Sequence, residues 1–420
     1  MLSWVRRFAA ALSLRYPEGT GKRIMIKKIA AFILCVSAAG CLLLSGCTVS
    51  SSSSLSDETL TVSGIALDGT WPEETVLIGV EIYDAADEQT GAFINYLEYL
   101  TDYFNIQFMV SDGLDDAEAE LAFIDSCAAA GCEAVIGYYN VSGSAAVEEI
   151  INNEMYYWGT QDYSEAFPDN DYYLGYCDLS GEDPEGNGDY LAGYELAYAI
   201  AQQGAGHVFC CSAGTEAFAD ILEGFEAGIA AARSQGCEIE YDPLEDLVEG
   251  WPGTEDFTAA VSAKLDGTYD AAAVLFGPSA VISLITDAGL AGSVAAGALC
   301  TVSDTYYDSV TEGTLTVVVY ECEEVVFGGG IVQILNAVTG HADAAQETDK
   351  SAGVIHVNRW VITDPDSFEA VYDYHESGGY FVGAADIANL LAEFNEDVTF
   401  EDIDDFYSSL DLEAGLAMAQ

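Results

Sequence analysis

This 420-residue sequence predicts an α/β chain of two successive lobes, each built on a parallel sheet, with a cleft between them. Three observations carry that expectation. From residue 75 onward, short runs that are nearly all apolar alternate with amphipathic helical stretches, the pattern of a parallel sheet covered on both faces. The alternation breaks once, in the irregular passage QDYSEAFPDNDYYLGYCDLSGEDPEGNG at 161–188, and then resumes for a second unit of similar size. Half of the residues are hydrophobic and 11% are aromatic, which is enough to furnish a core for both units.

In the first unit TVLIGVEIY (75–83) reads as a strand, and EQTGAFINYLEYLTDYF (88–104) as a helix with Phe93, Leu97 and Leu100 on one face. IQFMVSD (106–112), EAVIGYYN (133–140) and MYYWGT (155–160) read as further strands. Helices DAEAELAFIDSCAAAG (116–131) and SAAVEEIINNE (144–154) separate them. The second unit runs helix 189–204, strand HVFCCSAG (207–214), helix 215–236, strand CEIEYD (237–242), helix 255–267, strand DAAAVLFG (270–277), helix 279–290 and strand VAAGALCTVSD (294–304). A final segment adds strand LTVVVYE (315–321), a helix over 325–338, strand VIHVNRWVIT (354–363) and acidic helices to Gln420.

Ahead of Cys47 the chain has a different character. MIKKIAAFILCVSAAGCLLLSG (25–46) places two lysines, an apolar run from Ile29 to Leu44 and small residues in the order a secretory signal needs. The competing reading is a transmembrane anchor, but the run is shorter than the roughly 18–20 residues that span a bilayer, and Ser37 and Gly40 interrupt it. LSGC (44–47) resembles the lipobox of bacterial lipoproteins. That resemblance implies cleavage before Cys47, its lipidation, and an extracytoplasmic protein anchored to the bacterial cell membrane by lipid. Residues 1–46 are therefore expected to be a signal peptide, with 1–24 an extension from a misassigned start. Residues 47–74 are expected to be the lipidated cysteine and a flexible serine-rich linker.

Charge divides the chain in the same place. The sequence carries 71 acidic and 11 basic residues, a formal net charge of −60, and only Arg233, Lys264, Lys350 and Arg359 supply cations beyond Cys47. A domain with so few cations cannot neutralise phosphates, which excludes non-specific nucleic-acid binding. Eight cysteines follow Cys47 without any C-x-x-C, several inside apolar runs, so they are expected to act as small hydrophobes.

The order of these segments resembles the type I periplasmic binding proteins, the ribose- and galactose-binding class of ABC-importer receptors. The resemblance rests on IGVEIYDAADEQTGAFINYLE (78–98), GDYLAGYELAYAIAQQGAGHVFCCSAG (188–214), ILEGFEAGI (221–229) and DSVTEGTLTVVVYECEEVVFGGGIVQILNAVTG (308–340), and covers nearly the whole mature chain. It implies two Rossmann-like lobes with parallel sheets flanked by helices, joined by a three-strand hinge with crossings near Cys177, Glu321 and His356. The first lobe is expected at 75–178, completed by about 322–356, and the second at 179–321, completed by about 357–380. Residues 381–420 then form an acidic helical extension. The implied function is capture of a small neutral solute, with a sugar the family default, by a monomer that delivers it to a membrane permease; a surface receptor for a signalling system is the alternative.

In open α/β sheets ligands sit beyond the carboxyl ends of the strands. Those ends offer Tyr83, Asp84 and Glu88, then Tyr138, Tyr139 and Asn140, then Trp158 and Gln161 in the first lobe. The second lobe offers Ser212, Thr215, Ser279 and Asp304, with Glu321 at the second crossing. Aromatic faces among amides and carboxylates suit a polyhydroxylated ring. Asp304 matches the position at which sugar-binding members of the resembled family carry an acid. The helix before EGF lacks that family's arginines and GPSA (277–280) replaces its usual Asn-Asp, so a nucleoside or a cationic amine stays open as the solute. Scarcity of cations disfavours an anionic one. No cofactor and no metal are expected: His207, His341, His356 and His375 are scattered, without H-E-x-x-H or a cysteine at metal spacing. An enzymatic role finds no motif of its own, since a pair of carboxylates arises by chance in so acidic a chain.

Overall fold

The computed structural model describes residues 60–180, 187–215, 218–243, 246–346 and 352–419. The signal segment, the lipidation site Cys47 and the serine tract lie outside the described residues. Residues 60–74, expected as linker, are folded. Strands β1 (Thr61–Val62) and β2 (Ile65–Ala66) form an antiparallel hairpin, and Val62 and Leu67 are buried. Ser63 and Gly64 both take positive φ, the geometry of a two-residue hairpin turn.

The first lobe continues with β3 (Val76–Glu81), α1 (Glu88–Thr101), β4 (Ile106–Val110), α2 (Ala117–Ala130), β5 (Ala134–Gly137), α3 (Ser144–Asn152), β6 (Tyr156–Gly159) and β7 (Tyr173–Asp178). The second contains α4 (Gly188–Gln202), β8 (His207–Ser212), α5 (Ala219–Ser234), β9 (Glu240–Tyr241), β10 (Val248–Glu249), α6 (Glu255–Lys264), β11 (Ala271–Val274), α7 (Pro278–Asp287), β12 (Ala295–Leu299), α8 (Asp304–Thr311) and β13 (Leu315–Tyr320). Next come α9 (Glu323–Val338), α10 (Ala342–Ala345) and β14 (Gly353–His356), followed by β15 (Trp360–Ile362) and α11 (Pro365–Glu376). Helices α12 (Ala384–Asn389), α13 (Phe400–Ser408) and α14 (Leu412–Met418) close the chain.

Two sheets result. The first has the order β14-β7-β6-β5-β3-β4 and is parallel throughout. The second has the order β10-β8-β11-β12-β13-β15, with β9 also on β8, and is parallel except that β15 runs antiparallel to β13. Strands such as β5 and β11 are buried at every position, because helices cover both faces. The chain passes from the first sheet to the second after β7, returns after β13, and crosses again between β14 and β15. The run read as one strand over 354–363 is thus two strands in different sheets.

Strand β7 lies inside the passage read as irregular. Its pattern is hidden by Gly175, whose φ of 138° suits glycine, and a Cβ there would lie 1.8 Å from the Gly353 carbonyl of the neighbouring β14. Register also shifts between Tyr157 and Trp158 where β6 pairs with β7.

Helix α9 is buried along nearly its whole length. It lies against the first sheet, with Gly330 set against the Trp158 ring, while Phe327 stacks on Phe93 of α1 at 3.9 Å. The C-terminal residues are not an appendage. Asn336 donates to the Leu390 carbonyl at 3.0 Å and accepts from Ala392 N at 2.8 Å. Asp404 of α13 accepts from His356 N at 2.7 Å, and Trp360 Nε1 donates to the Leu410 carbonyl at 3.2 Å. These contacts hold β14 and β15 on either side of the third crossing.

Helices α4 and α5 meet through glycine. A Cβ on Gly224 would stand 1.8 Å from the Tyr190 carbonyl, and one on Gly193 1.9 Å from that of Ile221. Gly224→Ala is therefore expected to destabilise the protein by about 1–3 kcal/mol through overpacking, despite a gain of about 1 kcal/mol in helix propensity. Gly91→Ala, with open space around it on α1, is expected to be neutral or stabilising. Urea denaturation of the two variants reads the opposite signs; equal effects would contradict the close-approach argument.

Candidate functional site

The carboxyl ends of β3 and β5 carry the first group of expected residues, of which only Glu88 lines the cavity between the lobes. Tyr83 is half-buried with its ring against Tyr139 at 5.3 Å, and Asp84 is exposed, its carboxylate accepting from Ala86 N at 2.9 Å. Asp87 caps α1 by accepting from Thr90 N, which leaves Glu88 exposed in the first turn. Tyr138 is buried, stacked on Phe93 at 5.3 Å with its hydroxyl 3.3 Å from Thr90 Oγ1. Asn140 is buried and braces its own loop, accepting from Gly143 N at 2.6 Å. Gln161 is half-buried and accepts from the Tyr163 hydroxyl at 3.1 Å. Trp158 sits in the core at 0% exposure, flat against α9.

In the second lobe Ser212 is buried within its own turn, 3.3 Å from Gly214 N. Thr215 is exposed beside Glu249, and Ser279 is exposed in the first turn of α7. Asp304 is exposed at the start of α8. Sequence reasoning missed Trp251, which is 40% exposed just beyond β10 with Phe276 at 4.9 Å. The signal available was EGWPG (249–253), an aromatic entering a Pro-Gly turn at the end of a strand too short to register as one.

Glu321, expected at the ligand, is a hinge residue. Arg359 Nε donates to its Oε1 at 2.9 Å, and Arg359 Nη1 donates to the Leu179 carbonyl at 2.9 Å. The two side chains are 5% exposed or less. One guanidinium thus joins all three crossings, since Leu179 lies on the first, Glu321 on the second and Arg359 on the third. Arg359 also faces Glu195 of α4, whose carboxyl burial holds above the ordinary range despite that charge.

Beside this hinge lies a cavity of about 360 Å³ shared by the two lobes. Glu88 of the first lobe and Asp304 of the second both line it, so the fold brings together two of the sequence-predicted residues. Glu323, Glu324 and Glu376 add carboxylates, and Tyr320, Tyr372 and Tyr380 add rings. Tyr306 of α8 is buried, which raises its pKa, and the negative charge of nearby Glu88 raises it further. Glu323 accepts from the Tyr320 hydroxyl at 2.7 Å, and burial pushes its carboxyl up to about 7. None of these hinge-side groups was singled out in the sequence, because they come from β13, α8, α9, α11 and the loop after α11, which meet only in the fold.

The sequence matches no protein-family profile and no curated protein sequence. Solved structures do match. An ABC transporter solute-binding protein from Bacillus halodurans with bound myo-inositol is 14% identical with a TM-score of 0.53, over 71% of this chain and 98% of that one. An ABC transporter periplasmic solute-binding protein from Actinobacillus succinogenes with bound D-allose is 14% identical with a TM-score of 0.55, over 70% and 99%. A carbohydrate transporter from Acidothermus cellulolyticus in complex with myo-inositol is 13% identical with a TM-score of 0.52, over 73% and 99%.

The shared hinge leads to a prediction. Arg359→Met is expected to cost about 3–5 kcal/mol in urea denaturation, because it strands buried carboxylates. Glu321→Gln keeps an acceptor for Nε and is expected to cost less. Equal or negligible losses would show that the guanidinium does not organise the crossings. With two lobes, three crossings and this sheet order, the chain has the fold of the type I periplasmic binding proteins.

Proposed function

We propose that this chain is an extracytoplasmic solute-binding lipoprotein of an ABC importer, anchored through Cys47, that captures a small solute between its lobes by hinge closure. The observation that carries this reading is the cavity into which Glu88 from one lobe and Asp304 from the other both face, beside a hinge of three crossings. A solute bound by both walls favours the conformation in which the walls approach, so occupancy is coupled to lobe geometry. Among the described residues no helix is long and apolar enough to cross a membrane. In this reading attachment is through lipid on Cys47, and the functional partner is a membrane permease that reads the closed form. The working unit is a monomer that binds its solute without chemical turnover.

A sugar or cyclitol is the first solute to test. Carboxylates accept hydroxyl hydrogen bonds and tyrosine rings stack on C–H faces, and both are present in the cavity. A second reading is favoured by the same walls: five carboxylates and three tyrosines also suit an organic cation, held by charge and ring faces together.

Thermal unfolding of residues 60–420, which form one compact unit, against sugars, cyclitols, nucleosides and amines separates these readings. A solute that binds only the folded protein stabilises it by about 2.7 kcal/mol at 100 times its Kd. Asp304→Ala and Glu88→Gln are each expected to weaken binding of the active solute by about 1–3 kcal/mol. A shift with a sugar or cyclitol supports the first reading, and a shift confined to amines supports the second. No shift with any compound, or full affinity in both variants, would remove the cavity from the account.

A further inference from the structure

At the rim of the hinge, the fold brings three different metal-binding side chains together. Cys322 occupies the cap position ahead of α9, Glu324 lies in its first turn, and His375 lies in the last turn of α11. One ligand atom from each, Sγ, a carboxylate oxygen and a ring nitrogen, lies within 4.8 Å of the other two. His375 Nε2 already stands 2.8 Å from Glu324 Oε1, which also accepts from Phe381 N at 3.1 Å. In a tetrahedral zinc site ligand atoms are about 3.5 Å apart, given bonds of about 2.3 Å to sulfur and about 2.0 Å to nitrogen or oxygen. Small side-chain rotations therefore suffice to close the triad.

A second observation points to a cation at this place. Glu323, 2% exposed and between Cys322 and Glu324 in the sequence, has its Oε1 buried without a hydrogen-bond partner. Glu323, Glu324 and His375 all line the cavity between the lobes, which gives an ion a path in.

We propose that Cys322, Glu324 and His375 form a binding site for a zinc-class divalent transition ion, with the fourth position open to the cavity. Thiolate, imidazole and carboxylate together are a borderline-soft donor set, and three protein ligands with one open position is the arrangement of sites that admit water or a small ligand. On binding, the Cys322 thiol proton leaves to solvent as the sulfur–metal bond forms. Nε2 of His375, now donating to Glu324, presents its lone pair instead, with the ring proton on Nδ1. The ion would tie α11 of the second lobe to the crossing that carries Glu321. The histidine scan missed this because His375 lies far along the chain from Cys322.

The test needs no solute and is independent of the transport reading. Residues 60–420, reduced and stripped of metal with chelator, are titrated with Co²⁺ and then with Zn²⁺. The expected result is one equivalent of Co²⁺ with a near-ultraviolet thiolate charge-transfer band, bleached by Zn²⁺. The band is expected to vanish in Cys322→Ser, and affinity to fall at least tenfold in His375→Gln. Should the buried Cys322→Ser variant fail to fold, His375→Gln on its partly exposed ring decides alone. Absence of the band in the wild-type protein, or unchanged affinity in His375→Gln, overturns the proposal. So does a band that persists in Cys322→Ser, which would place the metal on other thiols such as Cys127 and Cys132.

Discussion

The arrangement depends on one buried guanidinium. Two lobes connected by three separate crossings have no intrinsic reason to keep those crossings side by side, because each belongs to a different part of the sequence. Arg359 supplies that reason by bonding Glu321 and the Leu179 carbonyl while standing on the third crossing itself. Its planar fork reaches two acceptors in fixed directions, a geometry lysine does not reproduce. In a chain with so few cations beyond Cys47, placing this one inside the hinge leaves no lysine or arginine among the described residues of the cavity walls, where His375 alone pairs with a carboxylate, Glu324.

The rest of the structure packs each lobe closely around its own sheet. Helix α9 has three successive glycines, Gly328, Gly329 and Gly330, which let Tyr407, Ile355 and Trp158 close in on it from different sides. The C-terminal helices then lock β14 and β15 in place through Asp404 and the Leu410 carbonyl. Lobes packed this densely resist internal deformation, so the closure that the proposed function requires would have to act at the crossings.

Much of the fold was legible because parallel strands buried on both faces must be apolar, and runs such as AVIG (134–137) and AAAV (271–274) have few other uses. Strand β7 was not legible, since Gly175 and the polar residues before it conceal its period. Of the residues that the sequence offered near strand ends, exposed Glu88 and Asp304 are two that the fold brings to one cavity. Position after a strand does not say which way a side chain points. Trp158 has that position, yet it lies in the core because Gly330, far along the chain, leaves room for its ring. Glu321 likewise reads as a ligand until its partner Arg359 is known. Contacts between distant segments decide these cases, and no local pattern encodes them.

Small-angle X-ray scattering of residues 60–420, with and without a saturating solute, tests the central claim most directly. Closure about the three crossings predicts a smaller radius of gyration in the bound protein, with the contraction moved to higher solute concentration in Asp304→Ala. Identical scattering from free and saturated protein would contradict the account, leaving a two-lobed binding protein whose lobes do not close on what they hold.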